Sequence, residues 1–146
     1  MQIGIDPDKD LSGVAVKHRV NGIEKIELYT LPFFGLLEFL QERKELIKLV
    51  VIEGGWLNTK ANLHNATANA RFASSIGRDV GVNHGTGLLI VQMCEYLKLP
   101  YRVQKPLRKR WASKDGKITH AELVKYFKVT AKRTNQEQRD AALLIL

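Results

Sequence analysis

One cysteine and four prolines are all that the 146 residues contain of either type. A lone thiol, Cys94, excludes an intrachain disulfide, so the fold must rest on a buried core, which a chain of this length can build. Cys94 lies in an apolar stretch and reads as a buried structural thiol rather than a nucleophile. Long hydrophobic runs are missing as well. Stretches such as Leu49-Val50-Val51-Ile52 are far too short to span a bilayer, which argues against a membrane protein. The opening Met1-Gln2-Ile3-Gly4-Ile5-Asp6 has no basic segment and no long apolar one, so no secretory signal is expected and a reducing cytoplasm fits. No Gly-rich phosphate loop, zinc pattern or Ser-His-Asp set is visible, and His18, His64, His84 and His120 share no metal-ligand spacing. The hydrophobic fraction of 45% and charged fraction of 26% exclude a disordered or collagen-like chain. With no internal repeat and no linker, residues 1–146 are expected to form a single domain.

Acidic residues are also in short supply, 15 against 23 Lys and Arg, for a net charge of +8. The excess is local. Residues 98–133 hold twelve basic side chains and only Asp115 and Glu122 as acids, a net +10, which leaves −2 for the rest. Such a patch suits a polyanion, nucleic acid most often, although a solvated basic surface has the same composition.

Hydrophobic periodicity orders the chain into alternating elements. Gln2–Asp6 reads as a strand stopped by Pro7, Ser12–Lys17 as a second and Ile23–Tyr29 as a third, with the hairpin signal Asn21-Gly22 between them. Leu36, Leu37, Phe39, Leu40 and Leu46 fall at helical spacing. Leu49–Ile52, ending in Glu53, has the continuous apolar character of a strand buried on both faces. Gly77–Leu97 reads as a helix whose Gly77, Gly81 and Gly85 share one face, either to admit the helix to the sheet or to let another helix approach. Leu99–Val103 is a fifth strand, Pro106–Lys117 a basic loop, Thr119-x-x-Glu122 a capping box, and Asn135–Leu146 a last helix. Asp8 and Asp10 suit turn geometry, and Asp79 beside Arg78 suits a local ion pair.

Four acids stand out by position. Asp6 and Glu53 end two strands, and Glu137 and Asp140 are three apart on the last helix, on one face. If the two strands are parallel neighbours, their acids emerge at one sheet edge, where α/β sites lie. Gly4 shares a face with Asp6 and leaves room for close approach. Clustered carboxylates repel unless cations sit among them, and hard oxygen donors suit magnesium or manganese. Two such ions about 3.5–4 Å apart can clamp a phosphodiester. Any one of these acids alone reads more readily as solvated surface than as catalytic.

These residues carry a resemblance. Gly4-Ile5-Asp6-Pro7 with Ser12-Gly13, then Val51-Ile52-Glu53, then Glu137-x-x-Asp140-Ala141-Ala142 resemble, in order, the motifs of RuvC-type Holliday junction resolvases of the RNase H-like superfamily. The resemblance spans essentially the whole chain. It implies an α/β fold, a five-stranded mixed sheet of order 3-2-1-4-5 with strand 2 antiparallel, flanked by helices. It implies that Asp6, Glu53, Glu137 and Asp140 hold two Mg2+ or Mn2+ ions and that hydrolysis leaves 5′-phosphate and 3′-hydroxyl ends. The family usually has Asp or His where this chain has Glu137, which leaves open whether that side chain ligates directly. Trp56 matches an aromatic that stacks on junction bases, though a core or cap tryptophan reads as well. Lys105 and Lys117 match lysines that contact the scissile strand. Arg108, Lys109, Arg110 and Lys114 lie in the basic loop between them and complete the expected nucleic-acid surface. The expected partners are a four-way DNA junction and a second copy of the chain. Other readings are a different RNase H-like nuclease, such as one trimming ribosomal RNA precursors, and a non-catalytic nucleic-acid-binding module.

Overall fold

The computed structural model describes residues 1–58, 70–107, 110–127 and 129–146. Arg108, Lys109 and His64 therefore lie outside the described residues. The chain runs β1 (Gln2–Asp6), β2 (Ser12–Val20), β3 (Ile23–Leu31), α1 (Phe33–Glu42), β4 (Leu49–Glu53), α2 (Ala70–Tyr96), β5 (Tyr101–Gln104), α3 (His120–Phe127) and α4 (Gln136–Leu143). Single 3-10 turns follow α1 at Lys44–Leu46 and β4 at Gly55–Leu57.

The strands form one mixed sheet in the order β3-β2-β1-β4-β5. β2 runs antiparallel to both neighbours, and β1, β4 and β5 run parallel. Asn21 and Gly22 turn the β2–β3 hairpin with φ of 52° and 78°, the left-handed pair that matches the twist of the flanking strands. The hairpin is longer than its apolar pattern suggests: β2 reaches Val20 and β3 reaches Leu31, because ladder pairing continues through the polar Lys17–Arg19 stretch.

Alternation along each strand divides the side chains between two cores. Ile3, Ile5, Val14, Val16, Val50 and Ile52 meet α1 and α2 on one face, where Leu36, Leu40, Ile90 and Cys94 are fully buried. Ala15 and Val51 meet α3 and α4 on the other, with Ile118, Leu123, Ala141 and Ala142. β4 is thus buried on both faces, as its continuous apolar run predicts. Cys94 is inert by burial, which pushes its thiol up to about 12.

Several local readings need correction. Leu46 is not on the buried stripe of α1; the helix stops at Glu42, and Leu46 is 62% exposed on the following 3-10 turn. α2 starts seven residues before Gly77, at Ala70, and α4 ends at Leu143 rather than Leu146. Asp79 pairs with Lys9 Nζ at 3.1 Å instead of its neighbour Arg78. Gly77, Gly81 and Gly85 do not admit α2 to the sheet: among the described residues a methyl group at any of them meets nothing within 4 Å. The glycine that admits a contact is Gly87, where the Trp56 ring lies against the helix backbone.

Candidate active site

The site is built by two glycines. Gly4 on β1 and Gly13 on β2 project on the α4 side of the sheet, and Gly13 is the cross-strand partner of Asp6. A methyl group at Gly4 would run into the Ala141 carbonyl, and one at Gly13 into the Glu137 carbonyl. Glu137 and Ala141 are one helical turn apart, so the two glycines form a trough in which the α4 backbone lies directly on the sheet. That close approach brings the α4 acids to the edge where β1 ends. Asn135 and Gln138 begin α4 with a reciprocal capping box, and Asn135 Nδ2 and Gln138 Nε2 donate to Thr30 Oγ1 at 3.1 and 3.0 Å, fixing the helix start on β3.

Parallel pairing sets Ile5 beside Ile52, which puts Asp6 and Glu53 side by side at the ends of their strands. Asp6 is pushed up to about 8, first by burial and then by Glu53 and Asp140, with a smaller contribution from Glu137; the Lys117 ammonium opposes the shift. Glu53 is also raised, by burial and then by Asp140, again against Lys117. The four acids singled out in the sequence therefore share one electrostatic neighbourhood. Lys117 Nζ donates to Asp140 Oδ2 at 3.1 Å, and Gln136 Nε2 donates to Asp140 Oδ1 at 2.7 Å.

Among the described residues no three His, Cys, Asp or Glu side chains already surround a single point as metal ligands. Asp140 is instead committed to an ammonium and an amide. The donor set nevertheless fits a hard divalent cation: it is carboxylate oxygen throughout, burial and then mutual repulsion raise Asp6, and Lys117 stands where a cation is needed.

A cleft of about 200 Å³ opens beside the acids, with Glu53, Asp140 and Lys117 on one side and Pro106, Leu107 and Trp111 among its apolar walls. Trp111 escaped the sequence reading, although an aromatic next to Arg110 in a basic loop is a usable signal. Its amide donates to the Gly116 carbonyl at 3.0 Å, closing the loop that delivers Lys117. Gln136 and Arg139 were also missed; flanking the acids, they read only as polar helix surface.

The remaining candidates spread away from the acids. Lys105 is exposed just beyond Gln104, the β5 partner of Glu53, and Arg110 and Lys114 are exposed on the loop. Trp56 is half-buried on the other side of β4, its ring edge-to-face with His84 at a centroid distance of 6.5 Å. Asp8 closes the turn after β1 by accepting from the amides of Asp10 and Leu11, as its position suggests.

A mixed sheet of this order with an antiparallel second strand, covered by helices on both faces, is the RNase H-like fold. Among solved structures the chain is similar to Thermus thermophilus RuvC in complex with a Holliday junction substrate, with a TM-score of 0.61 and 12% identity over 98% of this chain and 88% of that one. A second Thermus thermophilus RuvC structure matches with a TM-score of 0.46 and 15% identity over 98% and 89% of the two chains. At 12% identity the likeness to the first is one of fold, and it agrees with the motif resemblance. No protein-family profile and no curated protein sequence matches the chain. Among the described residues no helix is long and apolar enough to cross a membrane.

Proposed function

We propose that this chain is a single-domain, divalent-metal-dependent endonuclease that resolves four-way DNA junctions in the cytoplasm by paired phosphodiester hydrolysis. The observation that carries the reading is the convergence of Asp6, Glu53, Glu137 and Asp140 from three elements onto one sheet edge, where their repulsion is only partly offset by Lys117. A carboxylate cluster under that strain has no stabilising role of its own, and cation binding relieves it.

Asp6, Glu53, Glu137 and Asp140 would hold two Mg2+ or Mn2+ ions. When bound, such ions make water a competent nucleophile and neutralise the charge that develops on the phosphate. The protein's own groups do the rest. Asp6, which feels Glu53, Asp140 and Glu137, would be a ligand within that set. Lys117, which faces Asp140, would donate to a phosphate oxygen of the scissile strand. Lys105, Arg108, Lys109, Arg110 and Lys114 supply the positive surface along which the duplex arms lie, and Trp56 offers an aromatic face to an unpaired base.

A four-way junction has approximate two-fold symmetry and needs two nicks in strands of like polarity, which a two-fold dimer supplies. The face of α2 at Gly77, Gly81 and Gly85, which no described residue covers, supports this reading, with Leu88 exposed beside it. The test is metal-dependent nicking of a synthetic four-way junction, with linear duplex and RNA alongside. Selective paired cutting of the junction with Mg2+, abolished by a chelator, is the expected result. Preferential cutting of RNA, or binding without cutting, would replace this reading with one of the alternatives.

A further inference from the structure

Asp140 is held on the side away from Lys117 by a chain of polar contacts. Gln136 lies one helical turn before it, the spacing that sets two side chains over each other. Gln136 Nε2 donates to Asp140 Oδ1 at 2.7 Å, and Gln136 Oε1 accepts from Arg139 Nη2 at 2.8 Å. Arg139 also donates through Nε to the Ile118 carbonyl at 2.9 Å, and through Nη1 to the Thr134 carbonyl at 2.6 Å and Thr134 Oγ1 at 3.2 Å. Ile118 is buried and directly follows Lys117. One guanidinium therefore clamps the segment that carries Lys117 and, through Gln136, the carboxylate that Lys117 faces.

The start of α4 does not need this clamp. Asn135 and Gln138 already satisfy it with bonds of 2.8 and 3.1 Å. The guanidinium fork is planar and always charged, so its hold does not change with pH. Its consequence falls on one atom. With Oδ1 taken by Gln136, Oδ2 is the oxygen left to meet a cation, at present the Lys117 ammonium.

We infer that Gln136 and Arg139 are positioning residues for the acid cluster, holding Asp140 so that Oδ2 faces the cation position. The inference rests on the metal-dependent reading above. Outer partners of metal-ligating carboxylates typically contribute roughly 10–100-fold in metal affinity.

The experiment is a Mn2+ titration of the full chain by calorimetry, for the wild type, Gln136→Leu, Arg139→Met and the double variant, with thermal melting in metal-free buffer. Gln136→Leu should melt near the wild type and bind Mn2+ about tenfold or more weakly. Because Arg139 reaches Asp140 through Gln136, the double variant should bind no more weakly than Gln136→Leu alone. If Arg139→Met fails to fold, Gln136→Leu decides by itself. Wild-type Mn2+ affinity in Gln136→Leu, whatever its melting temperature, would overturn the positioning role and leave the nuclease reading intact. A wild type that takes up no Mn2+ would overturn both, the nuclease reading first.

Discussion

Gly13 lies directly beneath the backbone carbonyl of Glu137, with no room for even a methyl group between them. It is at once the cross-strand partner of Asp6 and the floor on which the acid-bearing helix rests. Gly13→Ala should therefore lift α4 from the sheet. Overpacking against backbone of this kind costs about 1–3 kcal/mol, so a urea melt should show that loss together with a disproportionate drop in junction cleavage. Parent-like melting and cleavage would mean that α4 can rise without consequence.

Asp6 should prove catalytic and destabilising at once. Its pKa rises from 3.8 to about 8 on folding, so the folded state favours the protonated form. The contribution of Asp6 to stability is then greatest below the lower of those values and falls as pH climbs between them, the reverse of a salt-bridged aspartate. Asp6→Asn should flatten that fall in metal-free buffer, keep junction binding and abolish cleavage. Glu137→Gln should hurt cleavage less than Asp140→Asn if Glu137 acts indirectly. Melting curves from pH 4 to 8 and a junction cleavage assay check each point, and an Asp6→Asn variant with the same pH dependence of stability as the wild type would contradict the electrostatic account.

Binding should be strongly electrostatic. Replacing Arg108, Lys109 and Arg110 by Ala should weaken DNA affinity and flatten its dependence on salt, because each lost phosphate contact removes a released counterion. Fluorescence anisotropy at several salt concentrations gives the slope, and an unchanged slope would put this stretch away from the DNA.

The glycine face of α2 should be an interface between copies. Gly81→Leu or Gly85→Leu adds a side chain where the described residues leave open space, so the fold should persist while the dimer is lost. Light scattering should report a monomer that nicks a junction without the paired second cut. An unmodified protein that is monomeric at micromolar concentration and still makes paired cuts would end the dimer reading.

Much of the architecture was legible residue by residue. Alternation marks the first strands, the continuous apolar run β4, Asn21-Gly22 the hairpin, and Thr119 with Glu122 the start of α3, where the Glu122 carboxylate accepts from the Thr119 amide at 2.9 Å. The acids at strand ends and at i, i+3 on α4 were found the same way. These signals are local: each depends on neighbours within a turn of helix or one strand pair.

What escaped was decided at long range. The sequence marks Gly4 as permissive, but only the seating of α4 reveals that Gly13 matters as much. Lys117 meets Asp140 across 23 positions, and Asp79 prefers Lys9, 70 positions away, to the arginine beside it. The composition and periodicity of this chain determined its elements and the chemical type of its site, because those follow from backbone preference and burial pattern. Which carboxylate meets which cation, which glycine carries the helix, and which amide orients Asp140 were decided only by tertiary structure, because contact energy depends on distance in space and the chain alone specifies only distance in sequence.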